Sequence, residues 1–499
     1  MARSRDELPT ALYSAAQVRD LDARLIAAGA PGYELMQRAA HAAWRALRQR
    51  WPNARQLTVL AGRGNNAGDG YLLAILAARG GLDVRVLAVG DPARLHGDAA
   101  TAHAEALRAG VVVEPWHADA PLTGVLVDAL LGTGLQGEVR QPVAAVIAAM
   151  NASGLPILAV DIPSGLCADS GRALGCVVHA QLTVTFIGLK FGLFSGIGPD
   201  VVGELIFDDL QADTTLVADT PWLAQRLAGP VVPRLAPRRP SDHKGRFGHL
   251  LVVAGEHGTG GAGLLAAEMA LRSGAGLVSL ATRPENTTAA LARCPEVMAA
   301  GLSSANQLLP LLARASHLVV GPGLGQGAWG RSLLSALSSC AKPQVWDADA
   351  LNLLAAGTVR LPAGALLTPH PGEAARLLGI DTPAVQADRR TAALELARRY
   401  DAVVVLKGAG SLIAAPDGRL MLCDQGHPAM ASAGLGDVLA GLLGALRAQG
   451  LEAFEAACLG VWLHARAGVR LGAGGRGLAA SDLIAVIREL LEEHAPCLN

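Results

Sequence analysis

In the first part of the chain, short apolar runs bounded by Gly, Pro and Asp alternate with longer segments in which apolar residues recur every three or four positions. The short runs read as strands buried on both faces and the longer ones as amphipathic helices. The pattern predicts helices at 14–28, 34–50, 70–79, 98–108 and 143–151, and strands at 56–61, 83–89, 124–128, 156–161 and 181–186. Ser14 is the expected N-cap of the first helix and Gly29 its stop. Repeated strand–helix units imply a parallel sheet with helices on both faces. The alternation lapses at about 212–240, where Pro230, Pro233, Pro237 and Pro240 punctuate Arg-rich sequence that reads as a linker. It resumes with strands at 249–254, 276–281, 317–320, 344–346, 364–367 and 402–406, and an apolar helix ending at Ala448. The expected domains are 1–225 and 241–499, joined by 226–240.

Composition narrows the class. A length of 499 residues is too great for one ordinary core. A net charge of −1 gives no basic footprint for nucleic acid. The seven cysteines are scattered without a Cys-x-x-Cys pair, which argues against a disulfide framework or zinc site. The charged N-terminus lacks an apolar signal core, and no apolar run is long enough to span a bilayer. The expectation is a cytoplasmic homo-oligomer with small-molecule substrates, without nucleic-acid or membrane partners.

In open parallel sheets ligands sit beyond the carboxyl ends of the strands, so the residues just after each strand carry the chemistry. The first such stretch is GRGNNAGDG at 62–70. It loosely matches a dinucleotide fingerprint, but Asp69 would repel a pyrophosphate. A loop offering oxygens to polar ligand groups or to a hard cation fits better. VDALLGTG at 127–134 and VDIPSG at 160–165 follow, so two strands end in aspartate, at Asp128 and Asp161. One such residue is usually a helix N-cap; two beside the Asn65–Asn66 pair point to a shared polar site.

These three motifs resemble the NAD(P)HX epimerase family, the YjeF N-terminal domain, over about residues 14–220. The resemblance implies a Rossmann-like three-layer sandwich holding a potassium ion on Asn66, Asp128 and Ser164, with the oxygen donors a hard cation needs. It implies substrate contacts from Asn65, Asn66, Ala67, Gly68 and Asp69, and from Gly132, Thr133, Gly134, Leu135, Gln136, Gly137 and Glu138. Asp161 is then the catalytic or substrate-binding carboxylate. Lys190, within GLKFGL at 188–193, matches a further family element; a surface lysine at a turn is the alternative. Ala67 departs from the glycine frequent there.

The second half repeats the logic. Loops after successive strands read GEHGTGGAG at 255–263, GPGLG at 321–325, DADALN at 347–352, TPHPGE at 368–373 and KGAGS at 407–411. No GxxxxGK[ST] occurs, which excludes a P-loop. His370 with Glu373 could recruit Mg²⁺ through water, as phosphoryl transfer needs. The stretch Gly434-Leu435-Gly436-Asp437 opens the helix that ends at Ala448. A glycine turn there aims backbone N–H groups and the helix dipole at one point, making an anion hole. An aspartate beside that hole is awkward unless it takes a proton from a hydroxyl; an ordinary first-turn Asp is the alternative.

With SDHKGRFGHLLVVAG at 241–255 and ASAGLGDVLAG at 431–441, these motifs are similar to the ADP-dependent NAD(P)HX dehydratases, a ribokinase-like α/β family, over about 232–495. The resemblance implies substrate contacts from Ala262, Gly323, His370 and Asp437, with Asp437 the catalytic base. It implies nucleotide contacts from Lys407, Gly408, Ala409, Gly410, Ser411 and Gly436, with ADP as co-substrate and Mg²⁺ beside it. His427 and Ala429 depart from the family's common Asn and Gly. The two halves together imply repair of hydrated NADH and NADPH: one interconverts the R and S hydrates, the other dehydrates the S form and releases AMP and phosphate. A vitamin or sugar kinase using ATP is the alternative for the second half, and a non-catalytic binding module for the first.

Overall fold

The structure is a computed structural model that describes residues 5–498 and divides the chain between Gln225 and Arg226 into two compact units. In the first unit seven parallel strands lie in the order Val112–Pro115, Asp83–Ala88, Gln56–Ala61, Val125–Ala129, Ile157–Val160, Leu182–Phe186 and Glu204–Asp208. The chain enters at Gln56–Ala61, builds outward one way, then returns to build the other way. The switch point therefore falls between Gln56–Ala61 and Val125–Ala129, where ligands bind in such sheets. Side chains along the strands alternate between two separate apolar cores. Val59, Ala61, Val127 and Ala129 join the core that receives Ala15–Ala27, Gly32–Arg50, Asn65–Arg79 and Gly97–Arg108. Leu60, Leu126 and Ala159 face the other, which receives Val143–Ala152.

The expected elements of this unit are present with shifted ends. Ser14 does cap its helix, accepting from the Gln17 N–H in a capping box. The main difference is that the helix expected from Gly70 starts at Asn65, so 65–69 form its first turn. The glycines that suggested a loop are there for close packing. A Cβ on Gly68 would lie 2.5 Å from Met36 Sδ, and one on Gly70 2.6 Å from Ala129 Cβ. The roughly 1 kcal/mol that each glycine costs a helix is outweighed by that contact. The sheet-edge strands Val112–Pro115 and Glu204–Asp208 were not legible; the first is largely exposed and lacks a continuous apolar run. Leu189–Lys190 is itself a short strand parallel to Ala11–Tyr13.

In the second unit the parallel strands run Met298–Gly301, Leu277–Thr282, His249–Val253, His317–Val320, Gln344–Trp346, Leu366–Leu367 and Val403–Leu406. Ser411–Ala414 and Leu420–Cys423 continue the sheet antiparallel; neither they nor Met298–Gly301 were expected. Leu435–Ala448 is buried almost all round, which is why its sequence is so apolar. Gly441 lets it reach Gly260–Arg272, since a Cβ there would sit 2.1 Å from the Ala266 carbonyl oxygen. Residues read as linker are partly packed: Arg226, Leu227, Ala228 and Val232 are buried. Arg226 is ion-paired with Asp424 at 2.7 Å, and Leu227 and Val232 belong to the second unit's core. Among the described residues no helix is long and apolar enough to cross a membrane.

Candidate active sites

The first unit holds a cavity of about 670 Å³ at its switch point. Ala61 and Ala129 are register partners, so Gly62 and Leu130 leave the sheet side by side. The Gly62 N–H donates to the Ala129 carbonyl at 3.0 Å. A Cβ on Gly62 would fall 2.0 Å from the Leu130 oxygen, so only glycine fits. The cavity is lined by Asn65, Asn66 and Asp69 from the helix start, Gly132, Thr133, Gly134, Leu135 and Gln136 from the opposite loop, and Asp161. Four expected contacts do not line it. Ala67 is fully buried in the core and Gly68 packs on Met36, because successive helix residues face different ways. Gly137 and Glu138 lie exposed, outside the lining.

Asp161 follows its strand with φ +68°, outside the region favoured by non-glycine residues, rather than capping a helix. Its backbone N–H donates to the Val184 carbonyl at 2.7 Å, and the turn aims the carboxylate into the cavity. Lys190, far from being a surface residue, is 0% exposed and ion-paired to Asp161 Oδ1. Its ammonium also donates to Thr185 Oγ1 at 3.0 Å and the Phe186 carbonyl at 3.1 Å. Asp22 and Asp69 share this cavity. Burial pushes Asp22 up to about 6, with Lys190 opposing and Asp161 adding to the rise. Burial, then Asp161 and Asp22, raise Asp69 well above the ordinary carboxylate range. Asp22 carried no sequence signal, being one of several polar residues on a surface-patterned helix.

Beside the cavity, Asp128 accepts from the Leu130 N–H at 3.2 Å, and Ser164 and Asn66 bond the Leu131 backbone. Asp128 is fully buried and accepts from Ser164 Oγ at 2.6 Å and from the Ser164 N–H at 2.7 Å. Burial raises it to about 6 despite those bonds. The Asn66 amide donates to the Leu131 carbonyl at 3.1 Å, and Ser164 Oγ accepts from the Leu131 N–H at 2.9 Å. Asn66 Oδ1 is buried without a partner. An orphaned amide oxygen next to a buried carboxylate and a hydroxyl is a donor set suited to a hard cation.

In the second unit a partly buried Lys407 is the hub. Its ammonium bonds Asp347 Oδ1 at 2.7 Å and stands 3.9 Å from Glu373 Oε2. Thr368 Oγ1 donates to the same Asp347 oxygen at 2.8 Å. Burial would lower the lysine, but Asp347, Glu373 and Asp437 together raise it. Burial and Asp347 lift Asp437 to about 7 against Lys407. Burial lifts Glu373 to about 7, opposed by Lys407. Gly434, with φ +87°, opens Leu435–Ala448 without any side-chain cap, leaving its first N–H groups to a ligand. A Cβ on Gly436 would lie 3.3 Å from Lys407 Nζ, which joins the two predicted nucleotide elements.

The remaining predicted residues fall around this hub. His370 caps Pro371–Leu378 through Nδ1, which accepts from the Gly372 and Glu373 N–H groups at 3.0 and 3.3 Å. Burial, then the nearby Lys407 and Arg376, lower its pKa. Glu373 accepts the His370 N–H at 2.8 Å. Ala262 and Gly323 are neighbours: a Cβ on Gly323 would sit 3.1 Å from that of Ala262. Ser411 Oγ donates to the Gly408 carbonyl at 2.8 Å, closing the turn that presents the exposed Gly408 and Ala409 and the buried Gly410. Arg389, unmarked in the sequence beside Arg390, braces that turn by donating to the Leu406, Lys407 and Gly410 carbonyls. Among the described residues no three His, Cys, Asp or Glu side chains come together as a metal-ligand group.

Fold and sites define a two-part α/β enzyme, with one unit in which Asp437 stands in the first turn of an uncapped helix, and a Rossmann-ordered unit with a lysine–carboxylate cavity. Residues 250–489 match the family described as NAD(P)H-hydrate dehydratase, and 32–192 the one described as the YjeF-related protein N-terminus. The bifunctional NAD(P)H-hydrate repair enzyme of Coxiella burnetii is 44% identical over 489 residues, 97% of this chain and 99% of its own. That of Escherichia coli is 43% identical over 470 residues, 94% of this chain and 91% of its own. A ribokinase-like superfamily protein from Enterococcus faecalis is similar to 52% of this chain and 93% of its own at TM-score 0.50 and 26% identity. The chain belongs to the bifunctional NAD(P)H-hydrate repair enzymes.

Removing Asp161 strands a buried ammonium. Asp161→Ala should destabilise the first unit by about 3–5 kcal/mol, the cost of breaking a buried pair from one side. Adding Lys190→Met should recover part of that loss. Urea unfolding of the two single variants and the double variant measures the coupling, and a double variant as unstable as the sum of the singles would show that the pair does not interact.

Proposed function

We propose that the second unit dehydrates the S hydrate of NADH or NADPH at the expense of ADP, and that the first unit interconverts the R and S hydrates. The observation that carries the dehydratase reading is Asp437, raised to about 7 beside the uncapped Gly434 turn. A base near neutral pH next to an anion hole suits transfer of a phosphoryl group to a hydroxyl. Asp437 takes the substrate hydroxyl proton, the oxygen attacks the β-phosphorus of ADP, and AMP leaves. Loss of phosphate and a ring proton then restores the double bond, because phosphate leaves more readily than hydroxide. Lys407, with the 408–411 turn and Gly436, holds the nucleotide phosphates. Mg²⁺, when bound with ADP, would neutralise phosphate charge, and such ions use few protein ligands. In the first unit Asp161 serves as the carboxylate at the reacting carbon. Asn66, Asp128 and Ser164 hold K⁺, a role supported by the orphaned Asn66 oxygen. The substrates, in this reading, are NADHX and NADPHX.

Hydrated NADH incubated with ADP and Mg²⁺ should regain reduced-nicotinamide absorbance with equal release of AMP and phosphate. A stable phosphorylated product instead would mark a kinase. Asp437 must be unprotonated to act, so the dehydration rate should rise with pH through about 7. Glu373 titrates in the same range. The limb belongs to Asp437 only if Glu373→Gln retains it. Asp437→Asn should lose roughly two to four orders of magnitude in rate while nucleotide still binds.

Sites without shared partners act independently. Asp161→Asn should therefore leave S-hydrate dehydration intact and slow R-hydrate consumption to spontaneous epimerisation. Asp437→Asn should equilibrate R and S but repair neither, and a mixture of the two variants should repair both. A mixture that fails while each variant keeps its remaining activity would require communication within one chain.

A further inference from the structure

Two carboxyl groups of the first unit's cavity stand in opposite situations. Asp161, in the lining, is fed with donors: Lys190, Thr185 Oγ1 at 3.4 Å and the Phe186 N–H at 3.3 Å all meet its Oδ1, and no hydrogen bond reaches its Oδ2 among the described residues. Asp69 lines the same cavity, yet no hydrogen bond or ion pair reaches it among the described residues. A helix residue with no structural partner, held in a ligand cavity beside two other carboxyls, is not there for stability.

Resting on the epimerase reading above, we propose that Asp69 and Asp161 are a proton donor and proton acceptor that open and reclose the hydrated ring. Water added across an enamine leaves its hydroxyl on the carbon bonded to nitrogen, so the epimeric carbon is a hemiaminal. Asp161 takes the hydroxyl proton and the O–H pair becomes the carbonyl bond. The carbon–nitrogen bond breaks with its pair going to the ring nitrogen, which receives the proton of Asp69. After the carbonyl turns over, nitrogen returns that proton to Asp69 and adds to the other face, while Asp161 gives its proton back to oxygen. No atom or electron is gained or lost overall. Burial, then the Asp161 and Asp22 charges, push Asp69 toward its protonated, proton-donating form, against the pull of Lys190. Arg19, Arg63 and Asp98 complete the charged groups of the lining. Groups whose environments separate their proton affinities are how one site supplies both an acid and a base.

The test is epimerisation of purified R hydrate by the full chain, followed by chiral chromatography without ADP. Asp69→Asn keeps the shape but cannot donate a proton. It should lower kcat roughly a hundredfold or more with KM changed only a few-fold, and abolish the alkaline limb of the wild-type pH profile. Asp22→Asn removes a charge that raises Asp69, so the alkaline limb should move to lower pH, which a merely structural role would not do. An unchanged thermal transition of the first unit shows that Asp69→Asn is folded, and an unchanged S-hydrate dehydration rate shows that the effect is confined to that unit. An Asp69→Asn enzyme with wild-type kcat, one altered in KM alone, or one that keeps the alkaline limb overturns the proposal. A wild-type chain that does not accelerate epimerisation at all overturns instead the epimerase reading on which it rests.

Discussion

Each site depends on a single lysine set among more carboxyls than it can neutralise. Lys190 stands with Asp22, Asp69 and Asp161, and Lys407 with Asp347, Glu373 and Asp437. One ammonium satisfies its nearest carboxylate, at Asp161 or Asp347, and the surplus acids are left to burial and mutual repulsion. That surplus is why Asp22 is raised to about 6 and Glu373 and Asp437 to about 7. Full pairing would have given stable ion pairs and no group able to exchange a proton near neutrality.

Parallel topology is what brings these charges together. Every lysine and carboxyl of the second hub follows a strand end or opens a helix, so residues distant in sequence share one sheet edge. Close backbone approach makes room for ligand there. Gly62 against Leu130, and Gly321 with a Cβ position 1.8 Å from the Asp347 oxygen, are places where any side chain would push the strand ends apart. Gly321 also holds φ +119°, which only glycine adopts without strain.

Most strands were legible because burial on both faces leaves short continuous apolar runs. The Gly434–Asp437 turn was legible because small residues abut an apolar helix. The Asn65 helix start was not, since its glycines pack against Met36 and Ala129, contacts that no local pattern encodes. The partners of the site residues were equally hidden. Lys190 read as a plausible surface residue, and nothing separated Asp22 from Asp20 or Arg389 from Arg390. What distinguishes these residues is burial and long-range pairing, and both exist only after the sheet has formed.

The surplus acids also set a direction for stability. Asp437 and Glu373 are raised from about 4 in an unfolded chain to about 7 in the folded one. Their contribution is therefore fully present below pH 4 and is lost as pH rises through 7. At neutral pH the second site weakens the unit that carries it, and the same half-protonated carboxyls are what equip it for proton transfer. Glu373 is further tied to the His370 backbone and Lys407 is tied to Asp347, so the cost cannot be relieved by moving one side chain away. A nucleotide at the Gly434 turn would face Lys407 and the open helix N–H groups, and by mass action would stabilise the folded state that binds it. The electrostatics of this site and its chemistry thus have one cause.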